Sequence, residues 1–229
     1  MEQLADDRET VVPGQALADT ESHRAGDGTF EADGQVQSLY LGTVEYRENN
    51  EVRVTPTGGR YIPEKGDSVI GEISRVSHSN WTVELNSPYD AIMPIGEAVE
   101  EYVDLTEDDI ADWFDIGDLV VAKIQKVTKG KDVQLTMQDR RARKLTGGRV
   151  IEIDPPKVPR LIGRKGTMVE TIKEHTDTTI IIGQNGRVWI KGDYEGLAAD
   201  ACRKVDREAH TEGLTDTIDE WLAEQRGDY

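Results

Sequence analysis

Gly163 and Gly166 bracket Arg164 and Lys165 between two stretches of helical patterning. Leu161 and Ile162 lead in, and Met168, Val169 and Ile172 fall on one side of the segment that follows. This stretch restricts the chain more than any other, because one helix must end and a second begin within four residues. Glycine, without a Cβ, permits so sharp a reversal and lets another molecule approach the backbone closely. A helix starting there offers free N–H groups and the positive end of its dipole. With two cations alongside, the turn suits an anion such as a sugar-phosphate backbone. The same residues also read as a tight helix–helix turn with two solvated charges, and the context has to decide.

That context is basic. From Lys123 to Lys165 the chain carries thirteen Lys or Arg and four Asp or Glu, a net of +9, while the remainder carries −27 and the whole −18. A polyanion is repelled by the whole and attracted by this one segment. Such general acidity suits the high-salt cytoplasm of a halophilic cell, where the Debye length falls to about 3 Å at 1 M salt and only close contacts, stacking and shape persist. Cys202 is the single cysteine, which excludes an internal disulfide and a Cys-x-x-Cys zinc site; its helical context suits a small core residue. No apolar run nears the roughly 20 residues of a membrane span. The segment Met1–Thr10 is acidic and lacks the apolar centre of an export signal. A cytoplasmic protein without a membrane partner is expected.

The 229 residues suit two or three domains. Residues 1–63 read as a small β domain. Val11-Val12-Pro13-Gly14 forms a short strand and turn, residues 19–35 form loops between short strands, and strands cover Val36–Leu41, Thr43–Arg47 and Glu51–Thr55. Asp27, Glu31 and Asp33 lack the residue order of a calcium loop and its distal glutamate. Contact with another protein suits this acidic unit, which is too short for an enzyme domain.

Residues 64–144 open with a Gly-Asp turn and strand, Gly66–Ile73, and the phrase returns at Gly117–Ile124. Trp81–Leu85, Ala91–Ile95 and Asp132–Met137 complete five strands, with a helical stretch expected over 99–114. That is the layout of a small OB-type barrel, which holds single strands by a basic groove and exposed aromatics. Lys126, Lys129 and Lys131 are its candidate contacts, or solvated charges on a strand and loop. Arg140, Arg141 and Arg143 follow, as a mere linker or as phosphate contacts. Glu107, Asp108, Asp109, Asp112 and Asp115 form an acid cluster better read as a solvated face than as a metal site.

Residues 145–210 run strand (Arg149–Ile153), short helix, glycine turn, helix, strand (Thr178–Ile182), strand (Arg187–Lys191) and helix (Tyr194 to about Ala209). Gly183-Gln184-Asn185-Gly186 joins the last two strands, with Asn-Gly as the turn dipeptide. Residues 211–229 hold one further amphipathic helix, with Leu214, Ile218, Trp221 and Leu222 on one side, docking on its own domain or on a neighbouring subunit. The histidines His23, His78, His175 and His210 show no metal spacing, and neither a nucleophile elbow nor a P-loop occurs. No catalytic residue, metal site or cofactor is expected.

The third unit resembles a KH domain, carried by Val158–Gly166 and Ile180–Lys191. KH domains clamp the backbone of about four nucleotides in a Gly-x-x-Gly loop, and the resemblance places that clamp at Gly163, Arg164, Lys165 and Gly166, with Arg160 beside it. The second unit resembles an S1 RNA-binding domain whose usual surface aromatics fall here at Ser79 and Thr82, with Trp81 between them. The order of the three units resembles the Rrp4-type cap subunits of the archaeal exosome. The phrases carrying that likeness include Val12-Pro13-Gly14, Gly59-Arg60-Tyr61-Ile62-Pro63, Asn86-Ser87-Pro88, Lys157-Val158-Pro159-Arg160 and Gly183–Gly192.

The resemblance implies a non-catalytic, RNA-binding subunit. Three copies, alone or mixed with the other cap type, sit on a hexameric phosphorolytic ring and guide the 3′ end of single-stranded RNA into its pore. An independent S1/KH factor acting in transcription or translation is the alternative.

Overall fold

The computed structural model describes residues 3–225 apart from Tyr102, Thr106, Glu107 and Glu212. Packing divides the chain between Gly59 and Arg60 into two compact units.

The first unit holds β1 (Thr10–Val11), β2 (Ala16–Asp19), β3 (Arg24–Ala25), β4 (Thr29–Ala32), β5 (Gln35–Ser38), β6 (Gly42–Tyr46) and β7 (Glu51–Pro56). They form a four-stranded sheet, β1-β6-β7-β3, and a three-stranded sheet, β2-β5-β4. Alternation decides which side is buried: Val44, Val52 and Val54 join Val11, Leu17 and Val36 in one core. The tyrosine Tyr46 closes it, its hydroxyl donating to the carbonyls of Ala5 and Leu17, and burial raises its pKa.

The second unit begins with β8 (Ser68–Val76), β9 (Asn80–Glu84), β10 (Ala91–Pro94), a single turn α1 (Ile95–Ala98), β11 (Leu119–Val127) and β12 (Val133–Thr136). Successive pairing β12-β10-β9-β8-β11, closed by β11 with β12, makes the expected five-stranded barrel. Its core contains Val69, Trp81, Val83, Met93, Val120 and Leu135. Trp81 is fully buried, edge-on to Phe114, and its indole N–H donates to the Phe114 carbonyl at 2.8 Å.

Two sequence expectations change here. The helix expected over 99–114 is replaced, among the described residues, by one 3-10 turn at Ile110–Asp112. Carboxylates of the acid cluster take the local amides instead: Asp108 accepts from Asp104 N, Asp109 from Ala111 N and Asp115 from Ile116 N. Such side-chain acceptors compete with a helix for the backbone. Glu107 lies outside the described residues. The basic linker holds a sixth strand, β13 (Arg143–Leu145), paired antiparallel with β11. Its one apolar residue, Leu145, is buried.

The chain continues with β14 (Arg149–Glu152), α2 (Val158–Ile162), α3 (Thr167–Thr176), β15 (Thr178–Ile182), β16 (Arg187–Gly192), α4 (Glu195–Arg207) and α5 (Leu214–Gln225). The sheet order is β14-β16-β15. On one face Val188 and Ile190 pack against Leu161, Met168, Ile172, Leu197 and Cys202 of the helices. The last helix completes this same core with Leu214, Ile218 and Leu222.

The other face of the sheet is buried too. Trp189, flanked by Val150 and Ile181, packs on Ile70, Val121 and Leu145 of the barrel. Strands β8 and β11 are therefore apolar on both sides, with Val69 and Val120 inward and Ile70 and Val121 toward the KH sheet.

Candidate nucleic-acid interface

The turn at Gly163 is built by backbone geometry. The Gly163 N–H closes α2 on the Pro159 carbonyl at 3.0 Å, and its φ is +76°. A Cβ there would lie 2.6 Å from Met168 N, so both conformation and space demand glycine. Lys165 (φ +57°) and Gly166 (φ +87°) are also left-handed. Lysine in that region is strained, a state that persists where the surroundings impose it. Buried Leu161 and Met168 anchor the two helices below the turn. No side chain caps α3, whose cap residue is Gly166; the Gly166 N–H donates to the Gly163 carbonyl at 3.2 Å and the Thr167 N–H to the Arg164 carbonyl, so backbone hydrogen bonds carry the chain from one helix into the next. Arg164 and Lys165 are exposed and enter no ion pair among the described residues. Arg160 is exposed but anchored: its guanidinium donates to the Thr211 carbonyl between α4 and α5.

The barrel lysines owe their direction to a defect. Along β11 the residues buried inside the barrel are Val120, Ala122 and Ile124, so strict alternation would turn Lys126 inward. A register shift between Ile124 and Lys126 in the pairing with β12 resets the phase, and Lys126 is exposed; re-aiming a side chain is what a β-bulge does. Lys129 and Lys131 occupy the β11–β12 loop. Its base is pinned by Thr128 Oγ1 donating to the Asp132 carboxylate at 2.8 Å, and Lys131 has φ +68°. The Lys131 ammonium stands 5.9 Å from the Tyr89 ring centroid, within range of a cation–π attraction.

Arg140 and Arg141 sit on a turn organised by Asp139, which accepts from the Arg141 N–H at 3.0 Å and pairs with Lys123 at 3.2 Å. Those two hydrogen bonds, the backbone one first, hold the Asp139 carboxyl below the usual carboxylate range. Gly66, Ser68, Lys123, Asp139, Arg140 and Arg141 line a cleft of about 620 Å³. Arg143, on β13, is exposed, while its neighbour Lys144 pairs with Asp118. Burial pushes the Asp118 carboxyl up, but the Lys144 hydrogen bond and the Asp115 amide outweigh it, leaving the pKa lowered.

The sequence candidates thus gather at three places: the α2–α3 turn, the outer end of β11, and the Arg140–Arg141 turn beside Lys123. The α2–α3 turn belongs to the helical layer, on the face of the KH sheet away from the barrel. Lys126, Lys129, Lys131, Arg140, Arg141 and Arg143 enter no ion pair among the described residues, although the chain has 45 acidic and 27 basic residues. Ser79 is exposed and Thr82 half-buried, so the barrel presents no aromatic ring at these two positions.

Three comparisons bear on this arrangement. Residues 10–47 match a model of the exosome complex exonuclease RRP4 N-terminal region, residues 60–126 the S1 domain of RRP4, and residues 148–195 a KH domain. The exosome complex component Rrp4 of Thermococcus kodakarensis is 45% identical over 220 residues, 94% of this chain and 85% of that one. The chain belongs to the Rrp4 family. The Rrp4 of Thermofilum pendens is 37% identical over 223 residues, covering 96% and 94% of the two chains. A crystal structure described as an exosome complex RNA-binding protein superposes with TM-score 0.68 at 36% identity, over 73% of this chain and 98% of that one.

In this Rrp4 family member the second glycine turn has a role that the sequence reading missed. Asn185 lacks the positive φ that an Asn-Gly hairpin of type I′ requires; Gly186 alone takes it. Asn185 is fully buried instead. Its Oδ1 accepts from Ile70 N at 3.2 Å, and its Nδ2 donates to the carbonyls of Ile70 and Leu85, both at 2.8 Å. Arg187 reaches the Glu84 carbonyl at 3.1 Å and the Glu84 carboxylate. The run Val188-Trp189-Ile190, apolar on both phases of a strand, was the available signal that this sheet is covered on two sides.

Proposed function

We propose that this chain is a non-catalytic RNA-binding subunit of an archaeal exosome, in the cytoplasm. It caps a hexameric phosphorolytic ring, in three copies alone or mixed with the other cap type, and guides the 3′ end of single-stranded RNA into the pore. Residues 1–63, 64–144 and 145–210 act as N-terminal, S1 and KH domains, and the segment after 210 buttresses the KH core. The observation that carries the reading is the set of exposed cations without ion-pair partners on an otherwise acidic chain. Free Lys and Arg at that charge balance leave phosphate as their natural partner.

Gly163, Arg164, Lys165 and Gly166 clamp the RNA backbone, helped by Arg160. Lys126, Lys129, Lys131, Arg140, Arg141 and Arg143 add phosphate contacts from the barrel and its sixth strand. The first unit exposes Val12, Leu39, Tyr40 and Leu41, each 44–53% accessible, an apolar surface suited to a protein partner rather than to RNA.

The test pairs binding with assembly. Arg164→Asp with Lys165→Asp lowers affinity for a labelled single-stranded RNA by about tenfold or more at matched salt, with the unfolding midpoint unchanged. Mixed with the ring, the unaltered chain co-elutes with it and increases phosphate-dependent RNA decay, while alone it releases no nucleotide. Equal affinity of variant and parent removes the clamp; decay by the isolated chain removes the non-catalytic role.

A further inference from the structure

Resting on the RNA-binding reading above, we propose that the barrel cleft lined by Lys123, Arg140 and Arg141, beside the KH hairpin, seats the phosphates of an RNA strand, as a site separate from the Gly163–Gly166 turn. Three cations and one carboxylate line the cleft, and the carboxylate is already committed. Asp139 accepts from Arg141 N and pairs with Lys123 Nζ, so its charge and that of Lys123 offset each other and the two arginines carry the net positive charge of the cleft. Arg140 and Arg141 are exposed and have no ion-pair partner among the described residues. The cleft volume, about 620 Å³, leaves room for a phosphodiester and its sugars.

Its position gives it a use. Lys123 pairs across the sheet with Ser68, and the Ser68 carbonyl accepts from Gln184 N of the KH hairpin at 2.8 Å. The cleft therefore lies on the barrel, and one of its lining residues, Ser68, touches the KH hairpin at the seam. From Lys123 the outer side of β11 leads to Lys126, a path of about 10 Å at the usual strand rise, and on to Lys129 and Lys131. A strand leaving the loop lysines follows this edge into the cleft. Guanidinium groups are suited to that seat, since their planar donors engage phosphate oxygens two at a time.

The ligand chemistry, a phosphate dianion or a phosphodiester, has two sources: the RNA backbone, to which the proposal commits, and free inorganic phosphate. In the full chain, Arg140→Gln with Arg141→Gln should lower affinity for a labelled single-stranded oligoribonucleotide about tenfold and reduce the slope of log affinity against log salt by about 1.4, two contacts at about 0.7 each. Backbone amide signals of Gly66 and Arg141 should shift with RNA at concentrations where inorganic phosphate moves nothing. An unchanged slope in the double variant, with RNA binding by the parent intact, overturns the cleft together with the phosphate contacts of Arg140 and Arg141, and leaves the RNA-binding subunit and its Gly163–Gly166 clamp standing. Shifts with inorganic phosphate but not with RNA also overturn it. Absence of RNA binding by the unaltered chain overturns both.

Discussion

Gly163-Arg164-Lys165-Gly166 and Gly183-Gln184-Asn185-Gly186 are both four-residue turns bounded by glycine, twenty residues apart in one KH domain. In the first, Gly163, Lys165 and Gly166 take positive φ, and the two middle side chains stand in solvent without ion-pair partners among the described residues. In the second, Gly183 is required by proximity: a Cβ would lie 2.3 Å from Asn185 Oδ1 and 2.8 Å from Ile70 N. Its Asn185 is fully buried against the barrel. The spacing of glycines says only that the backbone can turn or be approached. The residues between them differ: two exposed cations in the first, offered to a polyanion in the reading proposed above, and a buried amide in the second that meets another part of the same chain.

The comparison can be broken most easily at Asn185. Asn185→Ala leaves Ile70 N and the carbonyls of Ile70 and Leu85 without their partner, and at about 1–3 kcal/mol per unsatisfied buried group unfolding free energy should fall by at least about 3 kcal/mol. Denaturant unfolding measures this, and RNA affinity of the folded fraction should change less than twofold. An unchanged midpoint would mean that the turn does not join the domains. The charge reversal at Arg164 and Lys165 should behave in the opposite manner: affinity drops by about 1.4 kcal/mol or more for tenfold, while stability moves within about 0.5 kcal/mol, as for most surface changes.

Lys165→Gly sharpens the contrast, because stability and function should part company. Removing a left-handed lysine relieves strain and should raise stability by about 0.5–1 kcal/mol, with a several-fold loss of RNA affinity. A loss of stability instead would show that the lysine side chain supports the fold. The last effect is absent at neutral pH and concerns the helix-side core of the KH domain. Burial pushes the Cys202 thiol up from 9.0 to about 12. Between those values the unfolded chain has released the proton and the folded chain has kept it, so stability falls as pH rises from 9 toward 12 and is unaffected below. Cys202→Ala should flatten that slope in unfolding midpoints measured across the range. Tyr61, raised mainly by burial, titrates at still higher pH and contributes the same sign.

The elements that position the site were legible where periodicity is unbroken. The α2–α3 turn, the barrel strands β9, β10 and β12 and α5 follow from apolar spacing that serves one core, while β8 and β11 read as strands although they bury both faces. Legibility ended where another force chose the conformation. The carboxylates of Asp108 and Asp109 captured local amides and replaced the expected helix. The shift after Ile124 reversed the facing of Lys126 without leaving a mark in the pattern. Strand β13 was hidden because a pairing strand with one apolar residue resembles a charged linker. Lys123 passed as part of a strand, although its pairing with Asp139 places it in the cleft.

Asn185 and Arg187 tie the KH hairpin to the barrel by hydrogen bonds, and under the two-grip reading proposed above that tie acts as a ruler. The span from the lysine-bearing turn to the seam is fixed, so a strand too short to bridge it gains nothing from the second contact. Once long enough, it binds the second as an intramolecular event, with the large local concentration that follows. Affinity plotted against oligonucleotide length should climb in a step, and the nucleotide count at which the step falls reads the distance between the two grips.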